Sequence, residues 1–272
     1  MDTKLRFSRR REHGYTMVEL MVSITIALFL LAGLTTLVMH TRQSSTTQNQ
    51  MAQLQDNERM AMTILTDVIQ QAGYFPDPTQ NNSAGLFPAS SAPISTTPGS
   101  INFSLAGQAI SGAGSGAPSD SIAVRFASPI AYATDTQNYL ASSITSCAGT
   151  SIKDTTASHR YTNVFQVATV NNTTYLQCLL YQDDVFYKSY NLVPGLSSMQ
   201  VLYGLAGGSD NNVTTYAAAS GISGAQWQSV TSVKLRLYFQ QPQYGFSGGQ
   251  VQSSAPTTYV ERVIPIMSQS GG

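Results

Sequence analysis

From Tyr15 to Met39 the chain runs for twenty-five residues with one formal charge, Glu19. At 1.5 Å per residue, a helix of that length crosses the roughly 30 Å hydrocarbon core of a bilayer. Whatever folds beyond His40 is therefore tethered to an apolar stem. Lys4, Arg6, Arg9, Arg10 and Arg11 precede the stem beside only Asp2 and Glu12, and a basic flank of this kind stays cytoplasmic. The expected topology is single-pass, with a cytoplasmic N-terminus and a head, from His40 onward, outside the cytoplasm.

Glu19 is the most informative residue of the stem. An ionisable group inside a membrane helix costs roughly 2.5 to 3.5 kcal/mol on insertion scales and normally marks function; the plainer alternative is a carboxylate hydrated near the interface. An ordinary secretory signal is cut after its apolar region, behind a small-x-small pattern. Here the conspicuous residues come before it: Gly14, Tyr15, Thr16, Met17, Val18 and Glu19. Gly14 lets an extended backbone enter a protease site without a side-chain clash, and a cut there leaves the helix attached to the head. These residues resemble the type III signal read by prepilin peptidase. The resemblance implies cleavage between Gly14 and Tyr15 and methylation of the new amine of Tyr15, where that family usually has Phe. It also implies pairing of Glu19 with the N-terminal amine of a neighbouring subunit, and such a buried charge pair strongly disfavours wrong registers.

Charge and cysteine usage narrow the class. Of 14 basic and 14 acidic residues, five and two lie in the leader, so removing residues 1–14 leaves nine basic and twelve acidic, a net charge of about minus three. Such a chain has no global pull on phosphate backbones, and no sequence-specific nucleic-acid binding is expected. Charged residues make up 10% against about 25% in an average soluble protein, which suits an extracellular β-rich surface. Cys147 and Cys178 are the only cysteines. In an exported chain they read as one disulfide closing a loop of about thirty residues, worth about 3 to 4 kcal/mol; two buried free thiols are the alternative. His13, His40 and His159 have no ligand-like spacing, so no metal or cofactor is expected. No nucleophile elbow, paired acid motif or metal spacing appears, and the chain is expected not to be an enzyme.

Four segments are expected: a leader over 1–14, the membrane and assembly helix over 15–40, an amphipathic continuation over 41–74, and a β-rich head over 75–272. Met51, Leu54, Ala61, Leu65, Val68 and Ala72, widened by Met62 and Ile69, recur at helical spacing and should face the head. Asp56, Asn57, Arg59 and Gln70 should form a solvated flank. Gly73 stops the helix, and Pro76 and Pro78 prevent its resumption. Residues 75–120 read as a long irregular connection with short strands, and Gly112, Gly114 and Gly116 as a flexible turn. From Ile122 the period becomes two. Ile122, Val124 and Phe126 alternate with Ala123 and Arg125; Val233, Leu235, Leu237 and Phe239 alternate with Lys234, Arg236 and Tyr238, so each run predicts a half-buried antiparallel strand. Further strands are expected near 162–170, 173–182, 184–192, 197–204 and 258–266. Asp210, Asn211 and Asn212 invite a calcium reading, but one acid without a bidentate Glu favours a plain turn. The fold class is α+β, a long N-terminal helix on a mainly antiparallel sheet.

Several segments resemble the PilW family of minor type IV pilins: Leu54-Gln55-Asp56-Asn57-Glu58-Arg59, Ala72-Gly73-Tyr74, Ser119 to Arg125, Pro194-Gly195-Leu196, Gln200 to Gly204, and Trp227 leading into Val230 to Leu237. The resemblance implies a pilin-like fold and a low-abundance subunit. With other minor pilins and the major pilin, it would initiate or cap a filament for adhesion, twitching motility or DNA uptake. Prepilin peptidase, the inner membrane and a PilY-type tip adhesin are the implied partners, and the cell surface is the implied destination. Phe75 and Pro76 stand where family members often carry a cysteine. No proline interrupts the membrane helix, leaving Gly33 as its one weak point. A J-type pseudopilin of type II secretion and a ligand-binding tip adhesin are the alternatives.

Overall fold

The computed structural model describes residues 16–75, 83–116, 119–128, 145–149, 159–208, 212–240 and 259–267. Two compact units divide the chain, Met1–Gln50 and Met51–Gly272, and one helix, α1 (Met17–Gln70), contributes to both.

In the first unit α1 runs unbroken through Gly33, where a Cβ would meet nothing within 4 Å. Side chains from Met17 to Met39 are exposed, as a segment built to contact lipid or other helices must be. It is the one helix among the described residues long and apolar enough to cross a membrane.

In the second unit α1 buries Ala61, Met62, Leu65, Val68 and Ile69, and Ala72 follows on the same side. Leu54 is half-buried at the rim of this core, whereas Met51 is exposed, so the expected stripe makes its core contacts only from the turn of Leu54 onward. Gly73 ends the helical stretch at φ +77°, a backbone state that glycine adopts without penalty. Its N–H donates to the Arg125 carbonyl at 2.9 Å. Pro76 and Pro78 lie outside the described residues.

A one-turn helix, α2 (Ser83–Leu86), precedes a hairpin of β1 (Ser90–Ser95) and β2 (Ser100–Phe103). A five-stranded antiparallel sheet follows in simple order: β3 (Ile110–Ala113), β4 (Ser121–Ala127), β5 (Arg160–Val170), β6 (Thr173–Gln182) and β7 (Val185–Pro194). Asn171-Asn172 and Asp183-Asp184, all four at positive φ, make the two-residue turns that join β5 to β6 and β6 to β7. Such turns match the right-handed twist of the strands they connect. A second antiparallel sheet orders β11 (Tyr259–Pro265), β10 (Val230–Phe239), β8 (Leu196–Ala206) and β9 (Val213–Ala217). The chain passes from one sheet to the other at Gly195, whose φ of +84° makes the corner between Pro194 and Leu196.

The main core gathers the buried face of α1 with Ile122, Val124, Phe165 and Leu176 of the first sheet and Val201, Tyr203, Val233 and Leu235 of the second. A smaller core packs Ile94, Ile101 and Phe103 of the β1–β2 hairpin on Ala113, Ala123 and Val164. This second layer overturns the half-buried reading of β4, which is buried along its whole length. Arg125 has 0% of its surface exposed. β10 does alternate, with Leu235, Leu237 and Phe239 buried and Lys234, Arg236 and Tyr238 at the surface. Gly112 is also corrected: it belongs to β3, opposite Ile122, where a Cβ would run into the Tyr203 hydroxyl and the Ser121 carbonyl. Close packing, rather than turn flexibility, explains that glycine.

Candidate assembly site

Gly14 and Tyr15 lie outside the described residues, which begin with Thr16, one residue before α1. The Glu19 carboxylate Oε2 accepts from the Thr16 N–H and from its hydroxyl, both at 3.4 Å. The Glu19 N–H donates in turn to the Thr16 hydroxyl oxygen at 3.4 Å. This reciprocal pattern is a capping box, in which a Thr and a Glu three residues later satisfy donors at a helix start. All three contacts are longer than the usual 2.7–3.2 Å, so the carboxylate is held loosely. It folds back onto the residue that directly follows Tyr15, and the positive end of the helix dipole favours its charge there. The Thr-x-x-Glu spacing carries this signal in the sequence.

The other polar side chains of the stem satisfy themselves. Ser23 donates to the Glu19 carbonyl (2.7 Å), Thr25 to Val22 (2.8 Å), Thr35 to Leu31 (2.6 Å) and Thr36 to Ala32 (2.9 Å). Back-bonding of this kind lets hydroxyls sit in hydrocarbon without unsatisfied donors.

In the head, Cys147 and Cys178 form a disulfide with 6.4 Å between their Cα atoms. Cys178 is on β6, and the Cys147 N–H donates to the Asn163 side chain of β5 at 3.0 Å. The Thr145 N–H donates to the Gln71 side-chain carbonyl at 3.3 Å. The disulfide thus ties residues 145–149 to the five-stranded sheet, and the Thr145–Gln71 hydrogen bond ties them to the residue that follows α1.

Arg125 is the largest fully buried side chain. Its guanidinium lies 3.6 Å from the Phe103 ring centroid and donates to the Pro88 carbonyl and the Asp184 carboxylate, both at 3.1 Å. Burial pulls its pKa down to about 10, against the opposing pull of Asp184. Arg160 shares Asp184 at 2.8 Å and donates to the Leu86 carbonyl at 3.3 Å. Two cations, one carboxylate and two carbonyls therefore fasten the 86–88 loop to β4 and β5. Asp120 is buried and accepts from the Val201 N–H at 2.9 Å. Burial raises its pKa, while the N–H groups of Val201, Gly116 and Ser115 pull it down. Among the described residues no group of His, Cys, Asp or Glu side chains could hold a metal ion. Asp210 and Asn211 of the calcium-like turn lie outside them.

The head segments singled out in the sequence touch one another. Asn57 donates to the Pro194 carbonyl, Gly73 to the Arg125 carbonyl, and the Ala127 N–H to the Tyr74 carbonyl. Asp120 receives Val201, and Tyr203 packs edge-on against Trp227 with ring centroids 4.8 Å apart. They form one set of contacts joining α1, β4, β8 and the corner at Gly195.

Comparison with known proteins gives two family matches. Residues 164–263, from β5 into β11, match the type IV pilus-assembly protein W family, PilW. Residues 9–35, spanning Gly14, Tyr15 and Glu19, match the prokaryotic N-terminal methylation motif. No curated protein and no solved structure matches the chain.

Proposed function

We propose, from the premise that this chain is a PilW-like type IV pilin, that it acts as a minor subunit which starts or caps the filament. Prepilin peptidase cuts after Gly14 and methylates Tyr15; the subunit then waits in the inner membrane with its head in the periplasm. There it gathers with other minor pilins, major pilin is added beneath the complex, and the head reaches the cell surface, where a PilY-type adhesin is a fitting neighbour. Its action is mechanical: the chain is the substrate of the peptidase and performs no catalysis of its own. The filament serves adhesion, twitching motility or DNA uptake.

The observation that carries this reading is the methylation motif laid over the exposed apolar stretch of α1, Met17 to Met39, whose single acid, Glu19, stands in the first turn. Among the described residues that carboxylate has only the long contacts with Thr16 to give up before it meets a neighbour's amine. Glu19→Gln keeps an acceptor for the cap and removes the charge. The variant should be cut and methylated normally but be absent from sheared filaments; incorporation at the wild-type level overturns the pairing role. Deleting the gene with retraction disabled should lower the number of surface filaments, and an unchanged number overturns initiation.

A further inference from the structure

We propose that β7 is an acceptor edge, which in the filament takes an extended segment of a different, neighbouring subunit as a sixth strand. That segment carries acceptor side chains, carboxylate or amide, toward Lys188 and Asn191 and an apolar side chain against Phe186. The inference rests on the filament reading above and names a partner surface for it.

Among the described residues β7 pairs with β6 on one side and ends its sheet on the other, so half of its backbone polar groups face outward, ready to template another strand. Proteins protect such edges with short strands, charges or proline. The other sheet ends follow that practice. β9 has five residues, and β11 carries Glu261 and Arg262 and closes on Pro265. β3 is only four residues long, and its Ser111 hydroxyl donates to the Asn102 carbonyl of β2 at 2.7 Å. β7 has ten residues, one charge and proline only in last place. That charge, Lys188, lies 5.2 Å from the centroid of the Tyr190 ring. Val185, Phe186 and Tyr187 are 69, 53 and 63% exposed, the only consecutive run of large exposed apolar residues among the described residues of the head.

A chain of side-chain amides leads to the same edge. The Thr97 N–H donates to Gln166 Oε1 (3.0 Å), Gln166 Nε2 to Gln177 Oε1 (2.9 Å), and Gln177 Nε2 to Asn191 Oδ1 (3.0 Å). A backbone N–H can only donate, so Thr97 fixes the sense of every later bond. The last group, the Asn191 amide nitrogen, is left as a donor on the edge strand with no partner among the described residues. Strand addition is a recurrent mode of recognition in which backbone bonds give affinity and side-chain pockets give specificity, and amide ladders extend across added strands.

Charge selects the occupant. β7 presents a cation and a free donor and has no acid. A second copy pairing through its own β7 brings another lysine and no acid, so it offers Lys188 no countercharge, and the register that sets Lys188 opposite itself is destabilised by like charge. A strand bearing acceptors from another subunit complements both groups, and a head-to-tail contact of that kind suits an open filament.

The test places a photo-crosslinking phenylalanine analogue at position 187 of the full-length chain in cells assembling filaments, with position 259 on β11 as control. The proposal expects an adduct from 187 with another filament subunit, mapped to an extended segment containing Asp, Glu, Asn or Gln. It also expects that adduct to be lost in Val185→Lys/Phe186→Lys while the thermal midpoint of the purified chain is unchanged. A homodimeric adduct, or one indifferent to the two lysines, overturns it. An incorporated chain that yields no adduct overturns this proposal alone, whereas a chain never incorporated overturns the filament reading as well.

Discussion

The side-chain amide of Asn57 donates to the carbonyl of Pro194 at 3.2 Å, linking the middle of α1 to the corner where the chain leaves one sheet for the other. Sequence pattern assigns Asn57 to a solvated flank; its actual partner is 137 positions away. Asn57→Ala should lower stability by about 0.5 to 1.5 kcal/mol, the usual net worth of one hydrogen bond, measured by urea unfolding of the full chain in detergent.

Tyr203 gives the opposite expectation. Its hydroxyl is buried with no hydrogen-bond partner among the described residues, and burial, then the neighbouring Asp120 charge, holds its pKa far above the ordinary phenol value. Tyr203→Phe removes a group whose desolvation nothing repays, so stability should be unchanged or rise by up to about 1 kcal/mol. Gly112→Ala should instead cost about 1 to 3 kcal/mol by overpacking, because its methyl meets both that hydroxyl and the Ser121 backbone. In the double variant the loss should shrink but persist, since the backbone contact remains.

Asp120 and Asp183 predict opposite pH effects. Burial raises Asp120, so its favourable share of stability is present below the unfolded value, about 3.9, and is lost as pH rises through the folded one. Asp183 is lowered: burial works against the shift, but hydrogen bonds from His159 and the Arg160 N–H outweigh it. Its contribution is present above about 3.9 and is lost as pH falls through the lower folded value. Asp183→Asn should therefore flatten the acid limb of a stability–pH curve, and Asp120→Asn should raise stability at neutral pH relative to Asp120→Ala, which removes the acceptor of Val201 altogether.

Replacing Cys147 and Cys178 together by alanine should remove about 3 to 4 kcal/mol, the chain-entropy worth of closing a loop of this length. The decrement is measured as the difference between untreated and reduced wild type, and it should vanish in the double variant, which has no bond left to reduce.

What the sequence discloses and what it hides divides along physical lines. The ranges expected for β5, β6, β7, β8 and β11 fall within a few residues of the strands found, and the period-two run locates β10 because one of its faces is core and polar side chains mark the other. Arg125 defeats that logic. Its alternation looks solvent-facing, but the β1–β2 hairpin covers it, and nothing local announces a layer supplied by Ile94 and Phe103. β1, β2, β3 and β9 are short and Ser-, Thr- or Gly-rich, so their pairing depends on distant partners rather than on pattern. At the stem, Glu19 stands out by charge alone, whereas the Thr16-x-x-Glu19 spacing, though present in the sequence, acquires its capping meaning once the helix is seen to start just after Thr16.

The back-bonded hydroxyls of Ser23, Thr25, Thr35 and Thr36 have a consequence for how stems meet. With those groups turned onto their own backbone, two neighbouring stems touching from Val22 to Val38 offer each other only hydrocarbon and can slide or roll at little cost. On the proposed filament reading, relative height is then decided at the rung of the Glu19 carboxylate. On that same reading a bundle of such stems is laterally fluid yet pinned at one depth, a combination that would let unlike subunits share a core while stacking in a fixed order.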